Sequence, residues 1–148
     1  MKKTLFTIAC LSGLLFTGVI SASAEVSQKT LQSFRSVFTG AVQVKWTEYA
    51  DHYNVSFLQN DILIKAEYDR EGNMLNSIRY YKEQRLPLNI LYKVKKAYPS
   101  EKIQSITEES NAESTTYHIQ LKGEKSWTIL RSDESGNLEV SDKFDRAD

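Results

Sequence analysis

Apolar and polar residues alternate along most of the chain, in short runs separated by polar turns. Val42, Val44 and Trp46 share one parity, then Tyr53, Val55 and Phe57, then Ile62, Ile64, Ala66 and Tyr68, then Met74 through Tyr81 with Ile78 and Tyr80 in step. A period of two puts alternate side chains on one face of an extended strand, so these runs predict antiparallel strands in a meander. The breaks agree, since Asp51-His52, Gln59-Asn60-Asp61 and Glu71-Gly72-Asn73 are short enough for hairpins. Ahead of the strands Phe34, Val37 and Phe38 fall at helical spacing, with Ser27 as N-cap and Gly40 at the end, which predicts a helix over Ser27 to Phe38.

The order then recurs. Leu88, Leu91, Tyr92 and Val94 to Tyr98 predict a second helix, started by Pro87 and stopped by Pro99. Strands follow around Ile103 to Glu109, Thr115 to Lys122, Ser126 to Ser132 and Leu138 to Phe144. At a constant offset Tyr53, Val55, Phe57, Asp69, Gly72 and Asn73 fall on Tyr117, Ile119, Leu121, Asp133, Gly136 and Asn137, so the pattern reads as two copies of a helix plus four strands. The shared Asp-x-x-Gly-Asn marks the last hairpin of each copy: glycine supplies a positive φ and aspartate accepts from the turn's own backbone. A calcium loop needs glycine sixth and glutamate twelfth, whereas here glycine stands fourth.

The first 24 residues read differently. Lys2 and Lys3 precede an apolar run from Leu5 to Ile20 and the small residues Ser21-Ala22-Ser23-Ala24, the pattern of a secretory signal peptide cut after Ala24. A membrane anchor would need a longer unbroken run than Thr7, Ser12, Thr17 and Ser21 permit. Cys10 lies too close to the start for a lipoprotein signal and is leader filling. The expected organisation is a signal peptide over 1–24 and one domain over 25–148, its copies spanning about 27–82 and 86–144. The mature chain is then periplasmic or secreted, without cysteine, and open neither to disulfides nor to thiol chemistry. Once Lys2 and Lys3 leave, the 19 acidic side chains exceed the basic ones by two, a balance that argues against nucleic acid as a partner.

Together the leader, Val42-x-Val44-x-Trp46, Ala66-x-Tyr68-Asp69-x-x-Gly72, Leu86-Pro87 and Asp133-x-x-Gly136 resemble the PepSY-like, or beta-lactamase-inhibitor-like, exported proteins of Bacteroidetes, over nearly all of Ser27 to Phe144. The resemblance implies an α+β fold of two tandem helix-plus-four-strand repeats forming one curved antiparallel sheet with both helices on one face. It implies no established activity. Ser132 stands where the first copy has Tyr68, a departure in the second copy's core.

Chemistry is sparse. His52 and His118 do not correspond across the copies and make no ligand cluster. No Gly-x-Ser-x-Gly elbow or Gly-rich phosphate loop occurs. Glu108, Glu109 and Glu113 read as a solvated turn, and Lys93-Val94-Lys95-Lys96 as an exposed helix face. No catalytic, cofactor or metal residue is expected, and the chain does not read as an enzyme.

Aromatics are the informative excess: two Trp, eight Tyr and six Phe, two of the phenylalanines in the leader. Parity assigns Phe34, Phe38, Val44, Trp46, Val55, Phe57, Ile64, Tyr68, Ile78, Leu91, Val94, Ile119 and Leu121 to a helix-covered core. It leaves Tyr49, Leu63 and Tyr81 on the open face with Leu58 beside them, joined by Trp127 and Ile129, a pair that a single bulge would turn inward. The expectation is a concave apolar face that binds a protein or peptide. The alternative is a small-molecule or envelope-component binder with a cleft between sheet and helices.

Overall fold

A computed structural model describes residues 25–146, so the leader expectation, including Cys10 and cleavage at Ala24, lies outside the described residues. Helix α1 (Gln28–Val37) leads into β1 (Val42–Glu48), β2 (His52–Gln59), β3 (Ile62–Asp69) and β4 (Met74–Tyr81). A 3-10 turn, Glu83–Arg85, connects to α2 (Leu88–Ala97), and β5 (Lys102–Asn111), β6 (Thr115–Lys122), β7 (Ser126–Ser132) and β8 (Leu138–Asp145) follow. The elements match the periodicity closely. Ser27 caps α1 by accepting the Thr30 amide at 3.1 Å, and Pro87 precedes the first residue of α2.

The expectation of two tandem helix-plus-four-strand units is corrected. All eight strands form one antiparallel sheet in the order β1-β2-β3-β4-β5-β6-β7-β8. Strand β4 pairs with β5 from Asn76↔Asn111 to Tyr81↔Ile106, as continuously as strands within either half. The helices are short, 10 residues each, so the molecule is mostly sheet. Backbone pairing, and not the sequence offset, decides the unit.

One face of that sheet carries the core. Directly paired residues share a face, which aligns Val55 with Ala66, Phe57 with Ile64, Ile106 with Ile119, and Ile119 with Leu130. Phe34 and Phe38 of α1 close over the β2–β3 side, and Ile90 and Val94 of α2 over the other. Ile62 touches both clusters and lies at their seam. Phe34 meets Phe57 edge-on at 5.0 Å and Trp46 at 5.3 Å, an arrangement that suits aromatic quadrupoles.

Two bulges overturn part of the parity reading. Between β3 and β4 the register runs Tyr68↔Met74, then Glu67↔Asn76, leaving Leu75 as the extra residue. Without it Ile78 would oppose Ile64 in the core; with it Arg79 does, and Ile78 and Tyr80 turn to the open face. Tyr81 is therefore buried, not exposed as its expected place among the open-face residues required. The second bulge lies between Val42 and Lys45, where Gln43 has φ 54°, and it leaves Val44 exposed although parity made it core.

Candidate functional site

The face opposite the helices is the candidate site. One rung crosses the whole sheet on this side: Val42, Leu58, Leu63, Tyr80, Thr107, His118, Arg131 and Glu139. Its first four positions are apolar and its last four polar. Leu63 is 39 % exposed and Tyr80 37 %, with the Lys65 ammonium 5.7 Å from the Tyr80 ring centre. Leu58 is half-buried beside them.

A second apolar group lies across the sheet. The β6–β7 register runs without a shift from Tyr117↔Ser132 to Lys122↔Trp127, so Trp127 and Ile129 face the open side, both half-buried. Phe144, opposite Trp127 on β8, is 55 % exposed. Lys122 and Arg146 sit 5.8 and 6.0 Å from the Trp127 ring centre. Thr107, His118 and Gln120 separate this group from Leu63 and Tyr80, so the apolar face expected from parity is two patches with a polar band between.

Tyr49 sits off the sheet, on the β1–β2 hairpin, 45 % exposed and stacked on His52 at 4.5 Å. His52 Nδ1 lies 2.7 Å from Asp51, whose carboxyl this contact holds below its ordinary pKa. Arg70, from the β3–β4 turn, clamps the hairpin: it donates to Glu48 at 2.7 Å, to the Tyr53 hydroxyl at 2.8 Å and to the Tyr49 carbonyl. Its guanidinium covers the Tyr53 ring at 4.4 Å. The exposed Tyr49 is thus presented on a braced loop.

Beneath the sheet, on the helix side, lies a polar group that sequence reasoning missed. The sequence places Glu108 in a solvated turn, but β5 runs through it, and its side chain is only 13 % exposed. It accepts from the Tyr81 hydroxyl at 2.5 Å and from Arg79 at 3.2 Å. Burial first, then Glu108, drives the Tyr81 phenol far above its ordinary pKa, so it is a donor and no base. The available signal was parity, since Glu108 stands two residues from the buried Ile106.

Both Asp-x-x-Gly-Asn turns are structural. Asp69 accepts the Asn73 amide and side chain, each at 2.8 Å, and Asp133 accepts those of Asn137 at 2.9 and 2.6 Å. These bonds hold both carboxyls below their ordinary pKa. Gly72 and Gly136 take φ values of 85° and 79°. The turns tie the sheet to the helices: Gly72 abuts the first turn of α1, while Asn89 and Lys93 of α2 donate to the Glu134 and Ser135 carbonyls.

An eight-stranded antiparallel meander covered by two helices on one face and open on the other defines the class of fold. No family model matches the chain, and no curated protein does. Solved structures do. A BLIP-like protein from Bacteroides fragilis is similar over 82% of this chain and 89% of its own, with TM-score 0.61 and 16% identity. A DUF2874 family protein from Bacteroides uniformis is similar over 80% and 88%, with TM-score 0.58 and 14% identity. A protein from Bacteroides eggerthii, described as periplasmic, covers 81% and 88%, with TM-score 0.59 and 11% identity. At such identities the likeness is one of fold. The BLIP-like fold is supported, and nothing among these structures bears the PepSY designation.

Proposed function

We propose that the protein is an exported, non-enzymatic binding module that docks a protein partner on the uncovered face of its sheet. The observation that carries this is the one-sided cover: both helices pack on one face, leaving Leu63, Tyr80 and Phe144 exposed on the other. Size favours a macromolecule. Eight strands at about 4.8 Å spacing span roughly 34 Å, and the strands, seven or eight residues long apart from the ten of β5, run roughly 25 Å, so the face offers on the order of 800 Å², the share one partner contributes to a standard interface. Anchors in two patches, separated by a hydrogen-bonding band, suit a partner that brings two apolar contacts and polar groups between them.

The BLIP-like and periplasmic descriptions of two structures with this fold support the binding role and the compartment, as does the leader. The domain follows the leader, from residue 25 onward. A photo-crosslinking residue at Leu63, Tyr80 or Trp127 tests the reading in cells, with Tyr92, 67 % exposed on the outer side of α2, as control. Open-face probes should all trap one protein that Tyr92 does not. Equal trapping from Tyr92, or none from any open-face position, refutes the docking face.

A further inference from the structure

A cleft of about 460 Å³ opens at one end of the sheet, between the β2–β3 turn, the end of β4, the middle of β5 and the 3-10 turn that leads to α2. Its volume falls in the range of small-ligand sites. Ile62, half-buried on the helix side, and Tyr80, on the open face, line it as its apolar residues, with the paired strand positions Tyr81 and Ile106 between them. Its rim is cationic. Lys82 donates to the Gln104 carbonyl at 2.7 Å and Arg85 to the Asn60 carbonyl at 3.1 Å, and both exposed side chains belong to the cleft's rim.

Neither cation forms an ion pair among the described residues. Glu83, the acid between them in sequence, pairs with Lys95 at 2.7 Å, and the only carboxylate on the rim is Asp61. Arg85 spends one guanidinium nitrogen on Asn60 and keeps other donors for a planar acceptor. Two rim cations without ion partners among the described residues, with Ile62 and Tyr80 beside them, fit an anion with an aliphatic tail.

We propose that this cleft is a second binding site, for a single-chain aliphatic carboxylate of the fatty-acid class, with the head at Lys82 and Arg85 and the tail along Ile62 and Tyr80. The site does not depend on a protein partner. Decanoate, kept below its micelle concentration, is the probe, and amide shifts of the isotopically labelled protein are the readout. Saturable shifts should centre on Ile62, Tyr80, Arg85 and Ile106, while acetate and decyltrimethylammonium, which keep only the head or only the tail, produce neither pattern. The double variant Lys82→Ala with Arg85→Ala, and separately Arg85→Glu, should weaken decanoate at least tenfold with an unchanged core spectrum. Binding of the decyl ammonium at equal strength, shifts confined to Trp127 and Phe144, or decanoate affinity untouched by both variants would each overturn the assignment.

Discussion

The Arg70 guanidinium lies over the Tyr53 ring at 4.4 Å and donates to the Tyr53 hydroxyl at 2.8 Å, so one cation braces an aromatic by its face and its edge. The same guanidinium reaches Glu48 and the Tyr49 carbonyl, which ties the β1–β2 hairpin to the β3–β4 turn. Arg70→Ala should free the hairpin without opening the core. Hydrogen exchange would show it: the Tyr49 amide, bonded to the His52 carbonyl at 2.9 Å, should exchange faster while Val55 keeps its protection. Arg70→Lys should not restore Tyr49, because one ammonium lacks the planar fork that serves several acceptors at once.

The two turn glycines should respond unequally. A Cβ on Gly72 would stand 3.1 Å from the Thr30 backbone nitrogen and 3.2 Å from the Lys29 carbonyl carbon, whereas on Gly136 it would meet Lys93 Cδ at 3.1 Å. Both pay for a positive φ, about 1 kcal/mol, but only at Gly72 must helix backbone move. Gly72→Ala should therefore lower stability by about 1 kcal/mol more than Gly136→Ala in urea unfolding. Equal costs would mean that α1 yields as easily as a lysine side chain.

Strand and helix positions, turn chemistry and most of the core were legible, because a period of two or 3.6 survives in any sequence that must bury one face. Ser27, Gly72 and Asp133 each behave as their residue types dictate. The parity of β4 was not legible. A bulge adds one residue without changing composition, and Leu75 looks like any other strand residue, yet it exchanges the faces of Ile78 and Tyr81. The similar halves also suggested two tandem repeats sharing one sheet, whereas β4 pairs with β5 as continuously as strands within either half, so the eight strands make one unit. Of the candidate site, Leu58, Leu63, Trp127 and Ile129 lie on the open face, Tyr49 on its flanking hairpin, and Tyr81 beneath the sheet.

The buried hydroxyls make stability fall in alkali. Burial pushes the Tyr68 phenol up to about 12 and raises Tyr81 and Tyr117 as well. A raised folded pKa means that the folded state keeps a proton which the unfolded chain gives up near pH 10, so this stability is complete below about pH 10 and is lost as pH rises toward 12. Tyr68 adds a test of its own, since its hydroxyl finds no hydrogen-bond partner among the described residues. Tyr68→Phe should leave neutral stability unchanged or raise it by about 1 kcal/mol, and should flatten the alkaline loss in pH-dependent thermal melts. A marked destabilisation at pH 7 would show that the hydroxyl is bonded after all.

Glu108 should resist replacement for the opposite reason, because both its partners are in place. Glu108→Ala leaves the Tyr81 hydroxyl without an acceptor, whereas the Arg79 side chain, 41 % exposed, is still solvated, so the cost should be about 2 kcal/mol. Tyr81→Phe removes one donor and should cost about 1 to 2 kcal/mol. In a double-mutant cycle the two losses should overlap and fall short of additive. Full additivity would mean that the 2.5 Å contact contributes nothing to stability.

The two tryptophans separate folding from docking. Trp46 packs edge-on against Phe34 and lies 5.9 Å from Tyr68 on the helix side, while Trp127 sits half-buried on the open face between two cations. Trp46→Ala should cost about 3 kcal/mol through the cavity it leaves, and Trp127→Ala should stay within about 1 kcal/mol. Once crosslinking identifies a partner, Trp127→Ala should weaken its binding by about 2 kcal/mol, roughly a thirtyfold rise in Kd, if the residue is an interface anchor. Acrylamide quenching of the single-tryptophan variants reports the same contrast before any partner is known. Bound partner should then shield Trp127 and leave Trp46 unchanged; a complex that leaves Trp127 as quenchable as in the free protein would move the interface away from the β7–β8 patch.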